Sequence, residues 1–458
     1  MFEFGRDLRR RLTADKPSAV TRDGLTRGDT ALLELLDLDL LQAEAKAADV
    51  AAGRISVSDA PAARLTASGV WREVARRTGD PVALRRAAAH AQAALEGFEK
   101  AHRGADAARA RCAQAACGLL GAELFADDGL NAAAAIALKA AAAVALKTAA
   151  AQSGVGAALA QAMLASVEGR RVLAKGDASG AVAAALAFGA PIAALLAAGR
   201  RSSEARLAAA EHRLVRAEML TGCATRLHDR DLAVEALAQL KTAIQSLDSS
   251  YEPLLWARAQ GLRGVALAAL GEMEGDVGLV ADGVEALADA LEGIGRDHSP
   301  LDWARAQAML GTGLQIMGET TTSERAYEKA VSCFDRAGLV LQKQPALALN
   351  AHIAGSRAVC LARCAELTGD LAVLDAAEAA FRAELSNRSA PADPVAWAIC
   401  QTNLARLYEA RADLTGKDNG QRAAAAMALA AALEVFAEEG LHSLSDMTLT
   451  ALERVRAR

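Results

Sequence analysis

Residues 300–307, Pro300-Leu-Asp-Trp-Ala-Arg-Ala-Gln307, decide the fold, because their pattern Pro-x-x-Trp-Ala-x-x-Gln recurs at residues 253–260 and 394–401. Neighbouring copies lie 47 and 94 residues apart, and the second spacing is twice the first. The chain has only four tryptophans, and three of them share this phase. A fixed period of tens of residues is typical of stacked repeat proteins. The residues that we expect in the repeat core are Trp256, Gln260, Trp303, Gln307, Trp397 and Gln401.

A second helix follows in the same 47-residue phase. In each repeat this helix has a small residue, and the residue four positions later is usually large. In most copies the residue three positions after that is small again. These three positions share one helical face. Small residues let a neighbouring helix approach, and a large one fills the groove between them. The middle positions are Leu240, Leu287, Phe334, Phe381 and Ala428. Five copies predict five helical hairpins between about residues 204 and 440.

Turn signals and apolar spacing extend this rhythm along most of the chain. We expect first helices to begin near residues 62, 106, 156, 204, 253, 300, 345 and 394, which gives about eight hairpins. Gly271 and Gly318 are among the residues expected in the turns inside the hairpins. The predicted parts are a tail and capping helix at 1–60, Ala-rich degenerate hairpins at 61–203, clearer repeats at 204–440, and a capping helix at 441–458.

Composition supports an all-α protein. Hydrophobic residues make up 53% of the 458 positions but aromatic residues only 3%, because alanine, the best helix former, dominates. The net charge of −5 disfavours a nucleic-acid binder, which would normally have a basic face. Residues 178–199 are uncharged and long enough to raise the question of a membrane span, although Pro191 and the Ala-Gly composition favour a buried helix of the array.

The seven cysteines are scattered through apolar helical stretches, which indicates reduced thiols in a reducing compartment and predicts a cytoplasmic protein. Cys360 and Cys364 share a helix face and follow His352, so a metal site is conceivable there. No matching Cys or His pair lies nearby, and core packing is the better interpretation. We therefore expect no metal and no cofactor.

The repeat that begins at residue 300 resembles the tetratricopeptide repeat (TPR). Its first helix has Gln307-x-x-Leu310-Gly311, and its second has Phe334 between two alanines, as that family does. The period of 47 exceeds the family's usual period of about 34, which looks like a bacterial subtype with longer helices. The resemblance implies an α-solenoid of stacked antiparallel hairpins that forms a right-handed superhelix. It also implies that the first helices line a concave groove in which ligands, usually peptides, bind.

The positions that face the groove in tetratricopeptide repeats can be matched to residues of this chain, and these are the candidate partner-binding residues. Arg258 and Arg305 occupy equivalent positions and could together clamp a carboxylate or an acidic segment of a partner. The alternative is that they pair with a neighbouring acid such as Asp302 or stay solvated. The other candidates are His352, Thr312, Gln315, Arg406 and Glu409.

The start of the chain alternates apolar and basic residues. Such a segment could lie on an anionic membrane surface or dock on a partner, and a solvated tail is the alternative. The residues concerned are Phe2, Phe4, Arg9, Arg10 and Arg11.

The sequence contains no phosphate-binding loop of the type G-x-x-x-x-G-K-[ST] and no H-E-x-x-H motif, and its seven histidines are scattered. We therefore expect no enzyme. The favoured function is a scaffold or adaptor that binds a partner protein or peptide in the groove. The alternative is a regulatory sensor that binds a small peptide or metabolite there.

Overall fold

The computed structural model describes residues 32–54, 58–125, 127–147, 154–174, 177–200, 202–342, 346–387, 394–438 and 442–457. All regular secondary structure within these ranges is helical, so the predicted all-α class is confirmed. The basic segment predicted around Phe2 and Arg10 lies outside the described residues.

The helices follow one another as hairpins between short terminal elements. Before the first hairpin come α1 (Leu32–Leu35) and α2 (Leu38–Ala52). The first four hairpins are α3 (Ala60–Thr78) with α4 (Pro81–Lys100), α5 (Gly104–Phe125) with α6 (Asp128–Lys147), α7 (Gly154–Ala174) with α8 (Ala178–Leu186) and α9 (Gly189–Gly199), and α10 (Ser203–Leu227) with α11 (Arg230–Ser246).

The remaining four hairpins carry the clearer repeats. They are α12 (Pro253–Glu274) with α13 (Val277–Glu292), α14 (Pro300–Thr321) with α15 (Glu324–Leu341), α16 (Leu347–Thr368) with α17 (Leu371–Asn387), and α18 (Pro394–Thr415) with α19 (Gln421–Glu438). The chain then continues into α20 (His442–Ala457). Each hairpin packs on the next, which makes the described part of the chain an α-solenoid. All eight first helices begin within two residues of their predicted positions.

Aspartate side chains explain why the second helices start where they do. Asp80, Asp229 and Asp276 each precede a second helix and accept hydrogen bonds from backbone N–H groups of its first turn, at distances of 2.8–3.2 Å. These N–H groups have no partner inside the helix, so a carboxylate at this position stabilises its start. The acidic residues at the hairpin turns are therefore helix caps.

The prediction that Gly271 and Gly318 lie in turns was wrong, because both lie inside first helices. A Cβ atom at Gly271 would approach the Asp276 carbonyl oxygen to 2.8 Å, and one at Gly318 would lie 2.9 Å from the Tyr327 ring. These glycines therefore allow the second helix to start close against the first. The left-handed residue that ends α12 is Gly275, at φ 66°.

The residues of the repeat pattern occupy the expected core. Phe334 and Phe381 are fully buried, and a Cβ atom at Gly311 would lie only 2.8 Å from the Phe334 ring. Trp256 and Trp303 pack on one cluster that contains Leu254 and residues from the end of α13. Trp256 and Trp303 therefore wedge between neighbouring hairpins, whereas Trp397 packs against Phe436 within its own hairpin.

Residues 178–199 form two helices that meet at Ala187 and Phe188. By length and composition the 22-residue stretch could cross a membrane, and its most apolar window has a mean hydropathy of 2.2. Buried core helices of soluble proteins meet the same test, so this alone is weak evidence for a membrane span. Phe188, Ile192 and Leu195 are buried in clusters that α10 shares. The stretch packs as the second half of the third hairpin.

The α12–α13 hairpin depends on contact between two backbones. A Cβ atom at Gly264 would lie 2.6 Å from the Gly283 carbonyl oxygen, whereas one at Gly338 in α15 would meet nothing within 4 Å. We expect Gly264→Ala to lower the free energy of unfolding by about 1–3 kcal/mol, because the two helices must move apart. Gly338→Ala should leave it unchanged or raise it by up to about 1 kcal/mol, because alanine favours a helix. Urea denaturation of both variants measures this, and equal values would contradict the backbone contact.

Candidate functional site

The inner face of the solenoid is partly filled by the chain itself. Neighbouring first helices lie side by side, α12 with α14 and α14 with α16, as a concave groove requires. First helices that are five hairpins apart also touch, because α3 packs on α14 and α5 on α16. The N-terminal hairpins therefore cover the part of the inner face that contains Arg305.

A run of alternating charges, here called the ionic ladder, joins these distant hairpins. Its members in spatial order are Glu123, Arg305, Asp302, Arg76, Glu73 and Arg77. The successive N–O distances are 2.5, 3.4, 2.6, 2.7 and 2.7 Å. Three carboxylates and three guanidiniums balance, and every neighbour has the opposite charge. The ladder therefore connects α5, α14 and α3 without leaving a charge uncompensated.

Burial and pairing act in opposite directions on the acids of the ladder. Burial raises the pKa of Glu73, but Arg76 and Arg77 outweigh it and hold the pKa well below its usual range. For Asp302, burial is likewise outweighed by Arg76, Arg305 and the Ser299 hydroxyl, so its pKa is also lowered. Both carboxylates are therefore charged at neutral pH, which the attraction along the ladder requires.

Carboxylates of the chain itself contact Arg258 and Arg305, the two arginines of the predicted clamp. Arg305 pairs with Asp302, the alternative considered from the sequence, and also with Glu123. The Arg258 guanidinium lies 3.9 Å from the Glu211 carboxylate. The carboxylates that this pair could take from a partner are thus supplied within the chain.

The next predicted groove residues bond within their own helix. The Thr312 hydroxyl donates to the Ala308 carbonyl oxygen at 3.1 Å, and the Gln315 amide donates to Glu319 at 3.2 Å. His352 is exposed on α16. Among the described residues, no hydrogen bond or ion pair joins these three side chains to the arginine pair.

Glu34 of α1 lies beside the ladder and caps a helix that begins 219 positions later in the sequence. Its Oε2 atom accepts from the backbone N–H groups of Leu254 and Leu255, at 2.9 and 3.1 Å. The residue before α12, Glu252, makes no side-chain cap of its own. Burial raises the pKa of Glu34 to about 7, the bond from Leu255 opposes this, and the nearby Glu73 adds to it.

An open cleft lies at the C-terminal end, where α18 faces α20 across α19. Its volume is about 820 Å³. Ile399, Leu414 and Met447 line it with 43%, 40% and 70% of their surfaces exposed. Leu429 and the buried Phe436 also line it, from α19. The cleft therefore offers apolar surface that no described residue covers.

Two ion pairs flank this apolar surface, and they include the remaining predicted groove residues. Arg406 donates to both carboxylate oxygens of Glu366, at 2.7 and 3.1 Å. Arg454 of α20 donates to Glu409 at 2.7 Å, and this bond raises the pKa of Arg454. Burial raises the pKa of Glu366 against the opposing effect of Arg363. With Asp413, the walls hold three carboxylates and two guanidiniums.

Helical spacing places the residues of the cleft. On α18, Ile399, Asn403, Arg406 and Ala410 follow one another in steps of three or four, so they share one face. The residues of α20 were not predicted as part of a site. The sequence pattern that could have indicated them is the same helical spacing, which Met447, Ala451 and Arg454 show. The expected role of α20 as a cap does not exclude this role, because α20 also packs on α19.

None of the described residues that line this cleft is a cysteine. Among the described residues, no group of three or more His, Cys, Asp or Glu side chains could hold a metal ion. All seven cysteines are buried, and burial raises the pKa of Cys112 to about 12 and that of Cys364 to about 11. The thiols of Cys112 and Cys364 are therefore protonated at neutral pH and pack as small apolar groups.

Comparisons with known proteins give structural likenesses. No protein-family model and no curated protein matches the chain. A crystal structure of a Rap protein complexed with competence and sporulation factor covers 88% of this chain and 98% of its own, with a TM-score of 0.47 and 11% identity. A circular tandem repeat protein with a novel repeat topology and enhanced subunit contact surfaces covers 94% and 96%, with a TM-score of 0.25 and 15% identity.

The raised pKa of Glu34 predicts a pH-dependent stability. Glu34 binds a proton more tightly in the folded chain than in the unfolded chain, so its protonation stabilises the fold. This stabilisation is fully present below the usual pKa of 4.5 and is lost as the pH rises through about 7. The charged groups around Glu34 are Glu73, Arg76 and Arg77 of α3 and Asp302 across the contact, and the titratable imidazole of His298 bonds the Glu34 carbonyl oxygen. Glu34→Gln cannot titrate. We expect the free energy of unfolding of the unaltered chain, relative to this variant, to fall by about 1–3 kcal/mol between pH 5 and pH 8.

Urea denaturation of both proteins across this pH range measures the difference. A difference that stays constant from pH 5 to pH 8 would show that Glu34 does not titrate in this contact.

Proposed function

We propose that this chain is a protein-interaction scaffold that binds a peptide or a segment of a partner protein in the C-terminal cleft. The observation that carries the proposal is the cleft of about 820 Å³, with exposed apolar side chains between two held ion pairs. Concave sites with apolar walls and a few oriented polar groups are the usual places for ligands.

The geometry of the cleft suits a peptide. Ile399, Leu414 and Met447 supply separate apolar contacts for side chains, and Asn403 lines the same space. An amide side chain can donate and accept at once, which matches a peptide backbone. Because Glu366 and Glu409 already hold Arg406 and Arg454, these guanidiniums lose little conformational freedom when a ligand enters.

The walls of the cleft favour an apolar partner segment. Each wall carboxylate already has a guanidinium partner, Glu366 in Arg363 and Arg406, Glu409 in Arg454 and Asp413 in Arg422. The exposed apolar side chains therefore offer the free contacts, and we propose that the partner segment is apolar. The acidic or carboxylate partner predicted for Arg258 and Arg305 stays a prediction. The same holds for the cytoplasmic location, the adaptor role and the expectation that the chain is not an enzyme.

We also propose that the repeats are of the long-helix tetratricopeptide type with bacterial character. The 47-residue phase and the tight contact of Gly311 with Phe334 support this assignment.

A regulatory sensor is the second candidate. The volume of the cleft falls within the range of small-ligand sites, about 300–1,000 Å³, so a small peptide or metabolite would fit. Small-angle scattering distinguishes the two candidates, because a sensor must change the curvature of the solenoid when its ligand binds.

Two methionines with equal exposure provide a matched test of the cleft. Met447 lines it and Met427 does not, and both are 70% exposed. We expect Met447→Gln to weaken partner binding about tenfold, because burying a methionine contributes about 1.5–3 kcal/mol. Met427→Gln should bind as the unaltered chain does. Neither should alter folding, since both side chains are already in water.

The measurement is quantitative co-purification from source cells, followed by titration with the recovered partner. If both variants retain the partner equally, the cleft is not the binding site.

A further inference from the structure

Residues 32–36, Leu-Leu-Glu-Leu-Leu, are held on the inner face of the solenoid in the way a site holds a peptide. The Arg77 guanidinium donates to the carbonyl oxygens of Leu33 and Leu36, at 2.6 and 2.8 Å. The Nε2 atom of His298 lies 2.7 Å from the Glu34 carbonyl oxygen, which can only accept, so the imidazole donates. Each contact is made to the main chain, which any peptide offers.

One contact of the segment depends on its sequence. The Glu34 carboxyl group meets the N–H groups of Leu254 and Leu255 in the first turn of α12. These groups have no acceptor within their helix, so the position favours a side-chain oxygen that accepts from both. Glu34 supplies this oxygen from a carboxyl group that burial makes easier to protonate, because burial raises its pKa. A carboxyl side chain at the middle of the segment therefore fits this position, whereas a lysine ammonium can only donate and does not.

The leucines supply the apolar part of the contact. Leu32, Leu33, Leu35 and Leu36 are all buried, in a cluster with side chains such as Val70 of α3 and Leu84 of α4. Four buried leucines around one acidic residue form a compact recognition motif.

The groups that donate to the segment are held by other parts of the chain. Glu73 pairs with Arg77 at 2.7 Å. α12 belongs to the fifth hairpin, and His298 lies in the loop between the fifth and sixth hairpins. Residues 32–36 lie outside all eight hairpins, which begin at Ala60. The segment can therefore leave while the hairpins and their donors persist.

We propose that residues 32–36 are an internal ligand of a second peptide site, formed by Arg77, His298 and the first turn of α12, and that this site recognises a leucine-rich acidic turn. A partner segment of the same chemistry would compete with the chain's own residues. This site is distinct from the C-terminal cleft, so each proposal can fail without the other.

The test uses the full chain and a fluorescent synthetic peptide that copies residues 31–42. Glu34→Lys in the chain places a cation at the positive end of α12, so the internal segment should leave and the site should open. Fluorescence anisotropy should show the peptide binding to this variant at least tenfold more tightly than to the unaltered chain. A peptide with lysine in place of the glutamate should bind neither protein.

Equal binding of the copied peptide to both chains would overturn the proposal, and so would equal binding of the two peptides to the Glu34→Lys chain. If circular dichroism shows that this variant does not fold, Glu34→Ala takes its place. Hydrogen exchange at the Leu254 and Leu255 amides should then be at least tenfold faster than in the unaltered chain, and the added peptide should slow it. Exchange that the peptide does not change would also overturn the proposal.

Discussion

The ionic ladder between α3, α5 and α14 is the contact on which the shape of this solenoid depends. Hairpin stacking joins only neighbours, so a solenoid held by stacking alone can change its curvature with little cost at each step. The pair of Arg76 with Asp302 spans 226 positions of sequence and closes the first hairpin onto the sixth. This closure separates a filled inner face near Arg305 from an open cleft near Arg406.

Buried charges stabilise a fold only when their geometry offsets the loss of water. The ladder meets this condition by alternation, because Asp302 lies between two guanidiniums and Arg76 between two carboxylates. Removing a charge from the middle leaves the ladder with one buried charge in excess. The contact is therefore specific, since a shifted register of the two hairpins would place like charges together.

Much of the fold follows from local sequence. The period of 47 residues, the tryptophan positions and the small residues on the second helices determine which helices pair, because neighbouring packing depends on residues close in sequence. The turns at Gly271 and Gly318 were misplaced because a glycine inside a helix at a tight contact looks like a glycine in a turn. The ladder itself was missed. Glu123 and Arg305 lie 182 residues apart, and surface-like charges carry no period that would relate them. Sequence reasoning named Arg406 and Glu409 of α18, which line the cleft, but it named no residue of α20 for a site.

A double-mutant cycle on Arg76 and Asp302 tests the closure most directly. Arg76→Met and Asp302→Asn, alone and together, are compared by urea denaturation, with the more exposed pair of Arg230 and Glu274 as the reference. If the ladder closes the solenoid, the Arg76–Asp302 coupling energy should exceed about 1.5 kcal/mol and the reference coupling should be smaller. Additive effects within about 0.5 kcal/mol would contradict the account, because the two residues would then not interact in the folded chain.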